Sequence, residues 1–283
     1  MKRRMGLASA LAIALLGLSP PEARRLLVIC SPGSPGSTAE AQPTLDAFAS
    51  VLEKSAGWPA SSLGVVYYGA AEPGREKIAA EEAASALVSP AFYYEFAAAL
   101  SLQARLEAIP SSGAGEVYSL VARKGLVTSA ASLVGWEITG SAGFSEGFVR
   151  EVVLGDWGRL PSDARITYSA LPLSALRKSA SGEHVAVLLN REQAGALSTL
   201  PFASQLDILH KSGSFPAGLF CLVSNRLPAA RAESLARALK DLNQNDTGRE
   251  ALKSIRLSGF SVLDKSRLKS LTRPSPAKEK SAP

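Results

Sequence analysis

The chain has 283 residues, with 31 Lys and Arg against 25 Asp and Glu and a formal charge of +6. Its basic residues are scattered among carboxylates, with no stripe to track a phosphate backbone, so nucleic acid is not an expected partner. Two cysteines make no disulfide framework, and two distant histidines without C-x-x-C or H-x-x-x-H spacing argue against a metal site.

The N-terminus comes first. Lys2, Arg3 and Arg4 precede the uncharged stretch Met5 to Leu18, which Pro20, Pro21 and Glu22 break. That is the layout of a secretory signal peptide. Its fourteen residues would span about 21 Å as a helix, short of a ~30 Å hydrocarbon core. Cleavage is expected after Ala23. The removed segment, 1–23, takes three basic residues and one acidic residue with it, so the charge falls from +6 to +4. About 260 residues remain, enough for two compact lobes or one large domain. No later segment is long and apolar enough to cross a membrane.

Short β-branched runs then alternate with Ala/Leu-rich helical patterns, the signature of α/β architecture. Leu26 to Cys30 is a continuous apolar run and reads as a buried strand. The loop Ser31-Pro32-Gly33-Ser34-Pro35-Gly36 leads into a helix with a capping box at Ser37 and Glu40. Leu45, Phe48, Ala49 and Leu52 form that helix's buried face, and Gly57 closes it. Pro43 implies either a separate first turn or a kink. Strands follow at Gly64 to Tyr68 and Ala84 to Ser89, with a helix at Arg75 to Ala83 between them. Pro90 to Leu100 is expected to be helical, Leu102 to Ile109 extended and Val117 to Arg123 a strand. The repeated strand–helix–strand order predicts a mostly parallel sheet.

A second series begins near Thr128. Ser129 to Val134 is a short helical turn ended by Gly135, and Trp136 to Thr139 a strand. The loop 140–145 leads into a helix that buries Phe148, Val149, Val152 and Val153. Further strands are expected at Arg165 to Tyr168, His184 to Leu189 and Leu206 to His210, with helices at Leu171 to Ala180 and Glu192 to Leu200. Phe215 to Val223 is extended. Helical faces follow at Ala232, Leu235, Ala236 and Leu239, and at Ala251, Leu252 and Ile255. The last stretch, 271–283, is too polar to bury and reads as a disordered tail.

This order of pieces resembles the periplasmic substrate-binding proteins of the phosphate/phosphite/phosphonate ABC-transporter class, which have the type II binding-protein fold. The anchors are Ser31 to Ser37, the strand end Leu87-Val88-Ser89-Pro90-Ala91-Phe92-Tyr93, the crossing strand Val117 to Lys124, the entry Ser132 to Gly135, and His184 to Asn190. The resemblance implies two α/β lobes, each a mostly parallel sheet flanked by helices, joined by two crossing segments. Lobe 1 would comprise 25–122 and 213–270, and lobe 2 123–212. It also implies a periplasmic location, a small oxyanion ligand in the inter-lobe cleft, an ABC permease as partner, a monomeric state, no cofactor and no enzymatic activity. One departure matters: phosphonate binders open the first helix of the second lobe with a Ser/Thr run, whereas this chain has Ser141-Ala142-Gly143-Phe144-Ser145. Fewer hydroxyls stand there, so the identity of the ligand stays open. A sensory or accessory protein of the same fold without a transporter is the alternative reading.

Four strand-to-helix junctions offer donors to an anion: Ser31, Ser34 and Ser37; Ser89; Ser141 and Ser145; and Asn190 beside Arg191. Helix N-termini present unpaired N–H groups and a favourable dipole, and serine hydroxyls add donors. Each of these residues could equally serve only as a helix cap. Among the tyrosines near strand ends, Tyr93 and Tyr118 are the candidates for ligand contact.

Gly143-Phe144-Ser145-Glu146-Gly147 also matches the G-x-S-x-G turn of serine hydrolases. Three residues separate it from the preceding strand, no His-Gly-Gly-Gly loop is present, and neither His184 nor His210 follows an acidic partner in an evident loop. A hydrolase built on Ser145 is therefore the weaker reading. Finally, the type II fold that the resemblance implies puts Cys30 and Cys221 on strands separated by a third, nearly 10 Å apart at ~4.8 Å per strand, beyond disulfide reach. Two buried free thiols are predicted.

Overall fold

The computed structural model describes residues 23–113 and 115–272. The elements run β1 (Arg25–Cys30), α1 (Thr38–Ala56), β2 (Leu63–Tyr68), α2 (Ala71–Ala79), β3 (Ala83–Val88), α3 (Pro90–Phe96), β4 (Leu102–Pro110) and β5 (Ser119–Arg123). Then come a 3-10 turn at Ala130–Leu133, β6 (Glu137–Gly140), a π-helix at Phe148–Val153, β7 (Arg165–Tyr168), α4 (Pro172–Ser181), β8 (Val185–Leu189), α5 (Arg191–Gly195) and β9 (Leu206–Lys211). The last are β10 (Gly218–Val223), α6 (Ala229–Asp241), α7 (Asp246–Ser254), β11 (Leu257–Val262) and α8 (Lys265–Lys269).

Two sheets result, ordered β11-β4-β10-β3-β1-β2 and β7-β6-β8-β5-β9. This is the two-lobed type II binding-protein arrangement. The expectation of mostly parallel sheets needs correction. β1 pairs in parallel with β2 and β3, and β6 with β7 and β8, but β10, β4, β11, β5 and β9 join antiparallel. Parallel pairing belongs to the stretches where a helix returns the chain to the same edge. A strand arriving from the other lobe, or by a short turn, has no such constraint.

The two crossings, β4 to β5 and β9 to β10, touch through one antiparallel bridge. Glu116 N–H donates to the Phe215 carbonyl and Phe215 N–H to the Glu116 carbonyl, both at 2.8 Å. The hinge is therefore a narrow two-stranded neck.

Helix α1 carries the capping box: the Ser37 hydroxyl accepts from Glu40 N–H, and Glu40 accepts from Ser37 N–H at 2.8 Å. Pro43 lies inside an unbroken helix, one turn in, where few backbone bonds are lost. Helix α2 begins at Ala71 rather than Arg75, because Pro73 fits the first turn, where backbone N–H groups have no intrahelical partner. The predicted helix at 148–153 is a π-helix that buries Phe148, Val149 and Val153. The predicted helix 192–200 is broken after Gly195, where the Thr199 hydroxyl bonds back to the Ala196 carbonyl at 2.7 Å. β11, the edge strand beside β4, was not foreseen.

One hydrophobic cluster takes in residues of both sheets, Val28 and Ala86 with Leu120, Ile138 and Leu188, and the rings of Tyr94, Tyr118, Phe148 and Phe215. A second lies between the first sheet and α1, α6 and α7, and a third between the second sheet and α4. Leu271, assigned to the tail from sequence, is only 1% exposed and belongs to the shared cluster; its apolar side chain outweighs its polar neighbours. The rest of that tail, 273–283, and the predicted signal peptide but for Ala23 lie outside the described residues.

The cysteines behave as expected. β3 separates β1 from β10, and Cys30 and Cys221 are buried free thiols.

Candidate functional site

A cavity of about 1000 Å³ lies between the sheets, at the carboxyl ends of β1, β3 and β6. Open α/β sheets bind ligands at such strand ends. Of the sequence candidates, Ser31, Ser34, Ser37, Ser89, Tyr118, Ser141 and Asn190 line it. Tyr93 and Ser145 do not. Tyr93 is half-buried against the shared core. Ser145 is 0% exposed and spends its hydroxyl on the Glu95 carboxylate at 2.7 Å. That burial also removes the nucleophile of the hydrolase reading.

The seven that converge divide by what their side chains already do. Ser37, Ser89 and Asn190 are caps, accepting from the backbone N–H of Glu40, Phe92 and Gln193. The α1 start also holds its own anion, since backbone and hydroxyl donors of Ser37 keep the Glu40 carboxyl below its ordinary pKa. Ser31 and Ser34 bond each other at 2.8 Å, and Tyr67, passed over in the sequence, fixes the same loop by donating to the Ser34 carbonyl at 3.0 Å.

Ser141 and Tyr118 differ from these. Ser141 is 8% exposed and Tyr118 5%, both line the cavity, and no described residue hydrogen-bonds either hydroxyl. Burial pushes the Tyr118 phenol far above its ordinary pKa, so it stays a proton donor. A buried polar group without a protein partner calls for a ligand or water. Ser141 reaches the cavity from the second lobe, Tyr118 from the hinge, and Ser31 and Ser34 from the first lobe.

Sequence reasoning missed Glu116. It lines the cavity beside Tyr118, and its carboxylate accepts from the backbone N–H groups of Arg191 at 2.7 Å and Val117 at 3.0 Å. Burial raises its pKa, outweighing those donors and the nearby Arg191 charge. A lone Glu after Gly-Ala-Gly gives no motif; only its place at the hinge marks it.

Paired lobes, a neck and donors converging from both sides define a two-lobed fold with a cleft at its centre. The comparisons give the class a name. Residues 159–268 match the family described as the phosphonate periplasmic substrate-binding protein of ABC transporters. Among curated protein sequences no relative matches. A Xanthomonas citri protein solved with a chloride ion is 14% identical, with a TM-score of 0.68 over 87% of this chain and 95% of that one. A binding-protein component of a Pseudomonas aeruginosa ABC phosphonate transporter is 17% identical, with a TM-score of 0.61 over 87% and 83%. PhnD1 of Prochlorococcus marinus, solved with methylphosphonate, is 12% identical, with a TM-score of 0.58 over 87% and 96%. The family match covers 159–268 only, and the solved structures share with this chain the two-lobed fold of the binding proteins.

Proposed function

We propose that the chain captures a small oxyanion of the phosphate, phosphite or phosphonate kind in its inter-lobe cavity and, as a monomer, presents it to an ABC permease. The observation that carries this reading is the convergence of unpartnered hydroxyls, Ser141 and Tyr118, with the Ser31–Ser34 loop. Neutral donors suffice for an anion in a partly dehydrated site, because each hydrogen bond to a charged acceptor is strong. Donors on both lobes favour the closed form, so ligand and closure reinforce each other. Two proteins that share the fold were solved with an anion, one with methylphosphonate and one with chloride, which supports this reading.

The test is a thermal-shift and calorimetric screen of the protein, produced without 1–23, against phosphate, phosphite, methylphosphonate, sulfate and carboxylates. A ligand at a hundred times its Kd should stabilise by about 2.7 kcal/mol. A response confined to amino acids or carboxylates would overturn the assignment.

A further inference from the structure

We propose that the ligand's oxyanion head carries an apolar organic substituent of about four or more carbons, held in an arm of the cavity over the α1 face of the first sheet. This rests on the oxyanion reading above and says what lies beyond the head. A five-atom oxyanion fills roughly 150 Å³ even when each heavy atom is given the ~30 Å³ of a water molecule. The cavity, at about 1000 Å³, is several times larger and matches the upper range for drug-sized ligands.

The surplus volume has an apolar floor. Leu27 on β1 is 1% exposed beneath α1, yet Ile29, two residues on and on the same face, is only partly buried and lines the cavity. Its registered neighbour on β3, Leu87, is likewise partly buried and lines it. Central strands of a six-stranded sheet normally hide such side chains completely. Across the sheet Leu87 meets the buried pair Phe220 and Leu106; the floor drops two residues along β10, at the pair Gly218 and Ala108. A Cβ added at Gly218 would stand 3.4 Å from both Ala108 Cβ and Leu87 Cδ1, so any longer side chain would enter the arm. Ala41 and Leu45 of α1 form one wall and Ile255, after α7, the other.

This arm is continuous with the space lined by Ser31, Ser89 and Ser141, so one molecule spans both. An apolar hollow beside unpartnered hydroxyls fits an amphiphilic anion.

Calorimetry with phosphate, methylphosphonate, butylphosphonate and n-pentanol tests this. Each buried methylene should tighten binding about fourfold. Butylphosphonate should therefore bind at least tenfold tighter than methylphosphonate, with a more negative heat-capacity change. Ala41→Phe fills the arm on a helix surface and should reduce butylphosphonate to the affinity that methylphosphonate has for the same variant. Equal affinities of wild type for the two phosphonates overturn the arm while leaving the oxyanion head standing. Pentanol binding as tightly as butylphosphonate overturns the head instead, and the proposal with it. The wild-type series decides the matter should Ala41→Phe fail to fold.

Discussion

Gly33 in the first lobe and Ser141 in the second lie so close that a Cβ built on Gly33 would overlap the Ser141 Cβ. The lobes are therefore closed, and the close approach needs a residue without a side chain. Gly33 also has φ 83°, which disfavours any other residue. Gly33→Ala should hold the lobes apart, raising the radius of gyration in X-ray scattering and weakening ligand binding at least tenfold. Adding Ser141→Gly removes the overlap but not the backbone strain, so it should restore compactness. An unchanged radius in the single variant would show that closure does not depend on this contact.

The hydroxyls of Tyr118 and Ser141 have no described protein partner, which separates binding from folding. Tyr118→Phe and Ser141→Ala should each cost roughly tenfold or more in affinity for the oxyanion, from the ~1.5–3 kcal/mol of a hydrogen bond to a charge. Neither should lower the ligand-free melting temperature, since no protein hydrogen bond is lost. A melting temperature that falls with affinity unchanged would assign both residues to packing.

Glu116 sets a pH dependence whose sign follows from burial. Its native pKa is raised, so the folded state binds the proton more tightly than the unfolded chain. Below the ordinary value of about 4.3 both states are protonated and no penalty arises. As pH rises from there through the native value, the folded protein loses stability by leaving a charge in a partly dehydrated place. Glu116→Gln should remove that slope, so urea midpoints of the variant gain on wild type from acid towards neutral pH. A constant difference between the two would refute the assignment.

Much of this was legible in the sequence, for identifiable reasons. A continuous apolar run such as Leu26 to Cys30 marks a strand covered on both faces, and the Ser37/Glu40 pair marks a helix start by its own hydrogen bonds. Strand direction was not legible, because an apolar run such as Gly218 to Val223 reads the same either way; pairing with β3 and β4 sets it. Ser141 and Ser145 show why site residues were harder. They sit four residues apart at one loop–helix junction, yet one lines the cavity and the other is sealed against Glu95. The turns between them and the π-helix beyond shift the register away from regular helical spacing. Glu116 carried no signal at all, since a single carboxylate in a glycine-rich loop looks like any solvated charge.

The thiols make a separate forecast. Burial pushes the Cys30 thiol up to about 12 and Cys221 higher still, so little thiolate exists near neutrality. Modification by a thiol-specific disulfide reagent at pH 8 should be roughly a thousandfold slower in the native protein than in urea, and both sulfurs should react together on unfolding. Rapid native labelling of either would place it at the surface.

The hydrophobic cluster common to both sheets bears on how the molecule comes apart. Val28 and Leu188 belong to opposite halves, yet they share one dry interior, with Phe148 and Phe215 bridging the neck. Neither half keeps a complete interior once the other melts. Calorimetric heating should accordingly give a single endotherm, and a protease cut in the neck should release no half that refolds alone.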